Sequence, residues 1–201
     1  MLSPQEFAVA WGDSLYRFPP GVLQDVDIPK SAKRFLLEAG LPWRTELCIG
    51  SYCSYAVPLP VIPTFPPWPR AKYPLLSQYQ STPFRLLTYM TDDSFDPYPL
   101  GHEDDVFFAI MQGTGHIYWV GYGVEEGRFV NTSLAQFMEF LLDYRELLPL
   151  QKQHEPQMPS SQLLLTLRSI QQKWQQIDPV AQTDPDNFWV MCFYDPNDGF
   201  L

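Results

Sequence analysis

The sequence predicts an α+β fold, a single domain in which a mostly antiparallel sheet is packed by helices. Three observations carry that prediction. Apolar runs sit in the middle of the chain at Val106–Met111 (VFFAIM) and His116–Val120 (HIYWV), joined by Gln112-Gly113-Thr114-Gly115. Short apolar runs linked by a glycine-bearing turn read as a β-hairpin. Apolar residues then recur at helical spacing twice, from Leu134 to Leu148 and from Leu163 to Ile177, which requires two helices with buried faces. Finally, 201 residues at 45% hydrophobic and 18% charged are long enough for a sizeable core and too apolar for a disordered chain.

The elements follow in order. Ser3-Pro4-Gln5-Glu6 is a helix start, with Ser as N-cap, Pro at the first helical position and Glu three residues after the cap. Phe7, Ala10 and Trp11 form its expected inner face, and Gly12 can end it. A second helix follows Pro29, with Ala32, Phe35, Leu36 and Ala39 inward and Gly40 as its stop; Leu41-Pro42 reinforces the stop. From Ser51 to Pro99 the character changes. Pro58, Pro60, Pro63, Pro66, Pro67, Pro69 and Pro74 alternate with Phe65, Trp68 and Tyr73, so a helix or central strand is excluded across 57–74 and an extended path is expected. Two readings stand: a docking segment for an aromatic-lined groove, or an ordered loop packing its aromatics over the core. The second is favoured, because Leu59, Val61 and Ile62 would be poorly placed in solvent. Phe84–Met90 (FRLLTYM) resembles a strand.

After the central hairpin, Arg128–Val130 is a third short strand and Asn131-Thr132-Ser133 opens a helix, with Ser133 and Gln136 spaced as a capping box. Residues 151–159 form a polar linker with two prolines, and Ser160 or Ser161 caps the next helix, whose stripe is Leu163, Leu167, Ile170, Trp174 and Ile177. Phe188 to Tyr194 (FWVMCFY) fits either a final helix capped within Asp184–Asn187 or a buried strand. Periodicity does not decide between them.

The net charge of −10 removes the basic footprint that nucleic-acid binding requires, so no direct nucleic-acid contact is expected. Residues 1–30 carry no basic start followed by an apolar core, and no apolar run reaches the ~18–20 residues of a membrane span. With three cysteines and no C-x-x-C pair, a disulfide framework is not expected and a reduced, cytoplasmic setting fits better.

No arrangement of residues reads as a catalytic centre. A nucleophile elbow, a phosphate-binding glycine loop and a His-Glu-x-x-His helix are all absent. His102 beside Glu103, Asp104 and Asp105 sketches a metal or base site, but a charge run of this kind reads first as a solvated turn. Cys48 and Cys53 with His102 lack the second half of a zinc motif. No catalytic residue, metal or other cofactor is therefore expected. Three acidic groups do stand out: Asp92, Asp93 and Asp96; Glu103, Asp104 and Asp105; Glu125 and Glu126. If the strands pair as consecutive hairpins, the loops before Val106 and after Val120 share one end of the sheet, where those carboxylates would offer a negative field to a cationic partner. These eight residues are the candidate partner-binding set.

Several short motifs, in order, resemble one family. They are Ile28-Pro29, Phe35-Leu36 and Ala39-Gly40-Leu41-Pro42; Leu100-Gly101; Phe129-Val130-Asn131-Thr132-Ser133-Leu134 with Phe137, Phe140 and Leu141; then Asp178-Pro179 and Phe188-Trp189. Together they resemble the SUKH superfamily of immunity proteins, in the subgroup with an F-V-N-T/S-S element before the helix. The resemblance implies an α+β fold and a non-enzymatic bacterial protein that binds and blocks the toxin domain encoded beside it. It also implies structural roles for Gly101, Asn131 and Ser133. The sequence departs from the pattern in 57–74 and in its short ending after Phe188-Trp189. A general interaction module, working through the proline-aromatic stretch or an exposed sheet face, is the alternative reading.

Overall fold

A computed structural model describes residues 2–12, 14–49, 52–58, 84–91, 106–121, 127–152, 161–195 and 199–200. Strands Thr45–Ile49 (β3), Tyr52–Pro58 (β4), Phe84–Thr91 (β5), Val106–Met111 (β6), Ile117–Gly121 (β7) and Arg128–Asn131 (β8) form a six-stranded sheet. Its spatial order is its sequence order and every pairing is antiparallel. Two short pairs stand apart: Leu15–Tyr16 (β1) with Leu41–Pro42 (β2), and Tyr194–Asp195 (β9) with Gly199–Phe200 (β10). The helices are Pro4–Trp11 (α1), Lys30–Glu38 (α2), Leu134–Lys152 (α3), Ser161–Ile177 (α4) and Phe188–Phe193 (α5). This is the α+β arrangement expected from the sequence.

Strand alternation sorts the sheet into two faces. Leu47, Ala56, Leu87, Phe108, Ile110, Ile117 and Val130 join the helices in one core. Phe84, Leu86, Phe107, Ala109 and Val120 are also buried but lie outside that cluster. The middle of the sheet is therefore apolar on both sides, which is why VFFAIM reads as a continuous run rather than an alternation. Register shifts at Leu86/Thr88 and at Ile117/Tyr118 act as bulges, and Leu87 and Val130 consequently join the helix-side core.

Helix α3 is the hub, in contact with α1, α2, α4 and β8. Its expected face is correct: Leu134, Phe137, Phe140, Leu141, Tyr144 and Leu148 are buried. Phe140 stacks on Trp174 of α4 at 4.2 Å and 8°, and Trp189 of α5 lies 4.9 Å from Trp174. Helix α5 touches both edge strands, β3 and β8. In a flat six-stranded sheet those edges would be about 24 Å apart, so the sheet must coil around the helix, with Phe188 seated 5.1 Å edge-on to Phe108. This resolves FWVMCFY into a helix followed by a short strand.

Several boundaries differ from the sequence reading. Ala10 is exposed, and Ala8 packs with Phe7 and Trp11 instead; Arg145 of α3 donates to the Trp11 carbonyl at 2.8 Å, which fixes the rotation of α1. Leu41-Pro42 is a strand as well as a helix stop. Gly40 turns the chain between these roles with φ +87°, and a Cβ there would meet the Tyr16 carbonyl oxygen. β4 runs through Val57 to Pro58, which is buried. A proline can end a strand although it cannot donate within one, so the exclusion of strand across 57–74 was drawn two residues too early. Asn131 closes β8 rather than opening α3. Ser133 Oγ accepts from Gln136 N–H at 3.4 Å, but the Gln136 amide donates to the Ile177 carbonyl at 2.8 Å. The Gln136 Oε1, which a capping box would offer to the Ser133 backbone N–H, instead accepts from the Ser133 hydroxyl at 2.6 Å, while the Gln136 Nε2 adds a tie to α4. Helix α3 also continues past Leu148 to Lys152, through Pro149, so the linker begins later than 151.

Candidate functional site

The strongest polar constellation among the described residues lies inside the core. Asp178, 1% exposed, follows α4. Its Oδ2 accepts from Asn131 Nδ2 at 3.1 Å and from the Thr132 backbone N–H at 2.7 Å, and its Oδ1 accepts from the Thr132 hydroxyl at 2.7 Å. The Asn131 Oδ1 accepts from Trp189 Nε1 at 2.8 Å. Three stretches far apart in sequence are thereby joined: Asn131-Thr132, Asp178 and Trp189. All four of these hydrogen bonds serve to hold β8, α3, α4 and α5 together, and Asp178 is buried among them. The expectation that Asn131 and Ser133 are structural is met. What the sequence reading missed is that Asp178 is the common partner.

A second buried carboxylate, Asp143, accepts from Trp174 Nε1 at 2.9 Å and Lys173 Nζ at 2.6 Å. It clamps α3 to α4. Cys192 is buried, and desolvation pushes its thiol far above the ordinary range, which disfavours the thiolate form. His116 packs edge-on against Phe129 at 5.8 Å. Among the described residues no group of three or more His, Cys, Asp or Glu could hold a metal, and no helix is long and apolar enough to cross a membrane. An open groove beside α1 is lined, among the described residues, by Ala8, Val9, Gly12, Leu15 and Arg17, which include one ionisable group and no nucleophile.

The eight acidic candidates, Asp92, Asp93, Asp96, Glu103, Asp104, Asp105, Glu125 and Glu126, lie outside the described residues, as do His102, His154, Gly101 and 59–83. The strand ends that flank them are described. Met90 pairs with Val106 and Val106 with Gly121, so the connections 92–105 and 122–126 start and finish at one end of the sheet. Tyr55 pairs with Thr91 and Ile49 with Tyr52, so the β3–β4 connection is at that end too. Pro58 and Phe84, which bound the proline-aromatic stretch, fall at the opposite end: Pro58 pairs with Thr88, and Phe84 with Met111 beside the β6–β7 turn.

The buried network joins three of the motifs that carried the resemblance, those at Asn131-Thr132, Asp178 and Trp189. The sequence profile of the SUKH-4 immunity protein family matches residues 2–195. The chain belongs to that family. This SUKH-4 protein therefore has the general role of its family, immunity to a toxin, and its partner is a toxin protein. A search of curated proteins and one of solved structures each find no match.

Proposed function

We propose that this SUKH-4 protein neutralises its cognate toxin without catalysis, by binding the toxin domain one-to-one in the cytoplasm through the acidic connections at one end of the sheet. The contact residues in this reading are Asp92, Asp93, Asp96, Glu103, Asp104, Asp105, Glu125 and Glu126. The toxin surface they meet is basic, as in a domain that acts on nucleic acid. The carboxylates then occupy the place of phosphates, and association is fast and salt-sensitive. The observation that supports this reading is the convergence of Thr91, Val106 and Gly121 at one sheet end, from which nineteen residues of strongly acidic chain, 92–105 and 122–126, depart in two connections.

The test is charge reversal at Asp92, Asp93, Glu103, Asp104 and Asp105 together, with kinetics measured against the toxin domain encoded beside the gene. Association should slow by about 10- to 1000-fold at low ionic strength and lose most of its salt dependence. Unchanged affinity with unchanged salt dependence would overturn the acidic-end reading. Deleting Leu59–Arg70, whose flanks lie at the far end of the sheet, should leave toxin binding in place.

A further inference from the structure

The odd cysteine count argues against a disulfide framework, but it does not bear on a single reversible pair. In the β3–β4 hairpin Ile49 is the partner of Tyr52, with Gly50 and Ser51 between them in sequence, and Cys48 is the direct partner of Cys53. The sequence leads independently to the same register. Glycine followed by serine is a composition used by two-residue hairpin loops, and two turn residues at 50–51 oppose 49 to 52 and 48 to 53. In a two-residue hairpin the pair closing the loop exchanges both backbone hydrogen bonds, so the next pair is a non-hydrogen-bonded one. Opposite residues there have Cα atoms about 4.5 Å apart, inside the ~4.4–6.8 Å window that a disulfide requires.

We propose that Cys48 and Cys53 are a redox modification site, forming a reversible disulfide across the β3–β4 hairpin when a low-molecular-weight disulfide such as oxidised glutathione is present. The thiolate of one cysteine attacks a sulfur of the glutathione disulfide, expelling one glutathione thiolate and leaving a mixed disulfide. The thiolate of the other attacks the protein sulfur of that bond and expels the second glutathione. Two protein thiols are oxidised, one glutathione disulfide is reduced to two thiols, and the protons lost by the cysteines end on the glutathione. β3 is an edge strand with a strand neighbour on one side only. The covalent link therefore acts at an edge of the sheet, at the same end as the acidic connections. Cys192 does not compete: it lies in the helix-side core, whereas Cys48 is one residue out of phase with the core residue Leu47. Its neutral thiol is also a poor attacking group.

The experiment uses the full chain in buffers of oxidised and reduced glutathione, quenched with acid, unfolded and alkylated. In oxidised buffer the wild type should lose two of its three alkylatable thiols and the mass of two hydrogens. Proteolysis should return one cross-linked peptide containing Cys48 and Cys53, and a dithiol reductant should reverse the change. Cys48→Ser and Cys53→Ser, each lacking the resolving partner, should instead accumulate a glutathione adduct on the remaining cysteine. Three alkylatable thiols in the oxidised wild type would overturn the proposal. So would adducts without a cross-link, or a cross-link that engages Cys192.

Discussion

Asn131 and Asp178 meet side chain to side chain at 3.1 Å across 47 residues of sequence, and two of the motifs that carried the resemblance are joined by that bond. The carboxylate takes two further hydrogen bonds from Thr132, and the far side of the Asn131 amide takes the Trp189 indole. Hydrogen bonds to a charged group contribute about 1.5–3 kcal/mol each, and removing one partner leaves the others buried and unsatisfied. Asp178→Ala orphans the Asn131 amide, the Thr132 amide and the Thr132 hydroxyl together. The expected loss is about 3–5 kcal/mol, read as a lowered urea midpoint with unchanged slope. A loss under ~1 kcal/mol would mean that the network does not hold the fold.

Trp189 and Asp178 do not bond to each other; Asn131 links them. Trp189→Phe keeps most of the ring packing against Phe140 and Trp174 but leaves Asn131 Oδ1 unpaired, at a cost of about 1–3 kcal/mol. Because both substitutions act on the same amide, the double variant should be less damaged than the sum, with a coupling of about 0.5–2 kcal/mol. A double-mutant cycle from urea unfolding measures it. Strict additivity would show that Asn131 does not transmit between the two ends.

These residues show how far the sequence could be read. Period and caps located α1 to α4 and strands β5 to β8, because each has its own local apolar pattern. Asp178 carried no such mark: its role depends on Thr132 and Asn131, 46 and 47 residues away, and a long-range bond leaves no period. The β3–β4 hairpin carries only a weak local signal. Gly50-Ser51 is its turn signal, masked by the prolines that begin eight residues later at Pro58. The inward turn of Ala8 in place of Ala10 depends on where Arg145 meets Trp11, again information held by another element. The acidic groups were visible as composition, and only the antiparallel register shows that their flanking strand ends coincide.

Gly40 and Gly113 share a left-handed backbone, φ +87° and +77°, but not their surroundings. An added Cβ at Gly40 meets the Tyr16 carbonyl and the Arg17 backbone, whereas at Gly113 it meets nothing within 4 Å. Gly113→Ala should therefore cost only the left-handed penalty, about 1–2 kcal/mol. Gly40→Ala adds a collision with the Tyr16–Arg17 backbone at the end of β1, and should cost more than ~3 kcal/mol or prevent folding. Thermal unfolding of the two variants side by side checks the contrast. Equal shifts would place Gly40 on backbone conformation alone.

Cys192 gives stability a dependence on alkaline pH. Burial raises its thiol far above the ordinary value of 9.0, so the folded protein keeps a proton that the unfolded chain releases as pH passes 9. The unfolded state then binds fewer protons, and stability falls with rising pH. The contribution is intact below pH ~8 and declines by about 1.4 kcal/mol by pH 10, following one proton at 1.36 kcal/mol per unit. Lysines and tyrosines titrate in the same range, so the measurement compares the wild type with Cys192→Ala, which shares them. Under reducing conditions, urea unfolding at pH 8 and pH 10 should show the wild type's advantage over Cys192→Ala shrinking by about that amount. Parallel pH profiles would mean that the thiol ionises as readily in the folded state as in the unfolded chain, in conflict with its burial beneath the sheet.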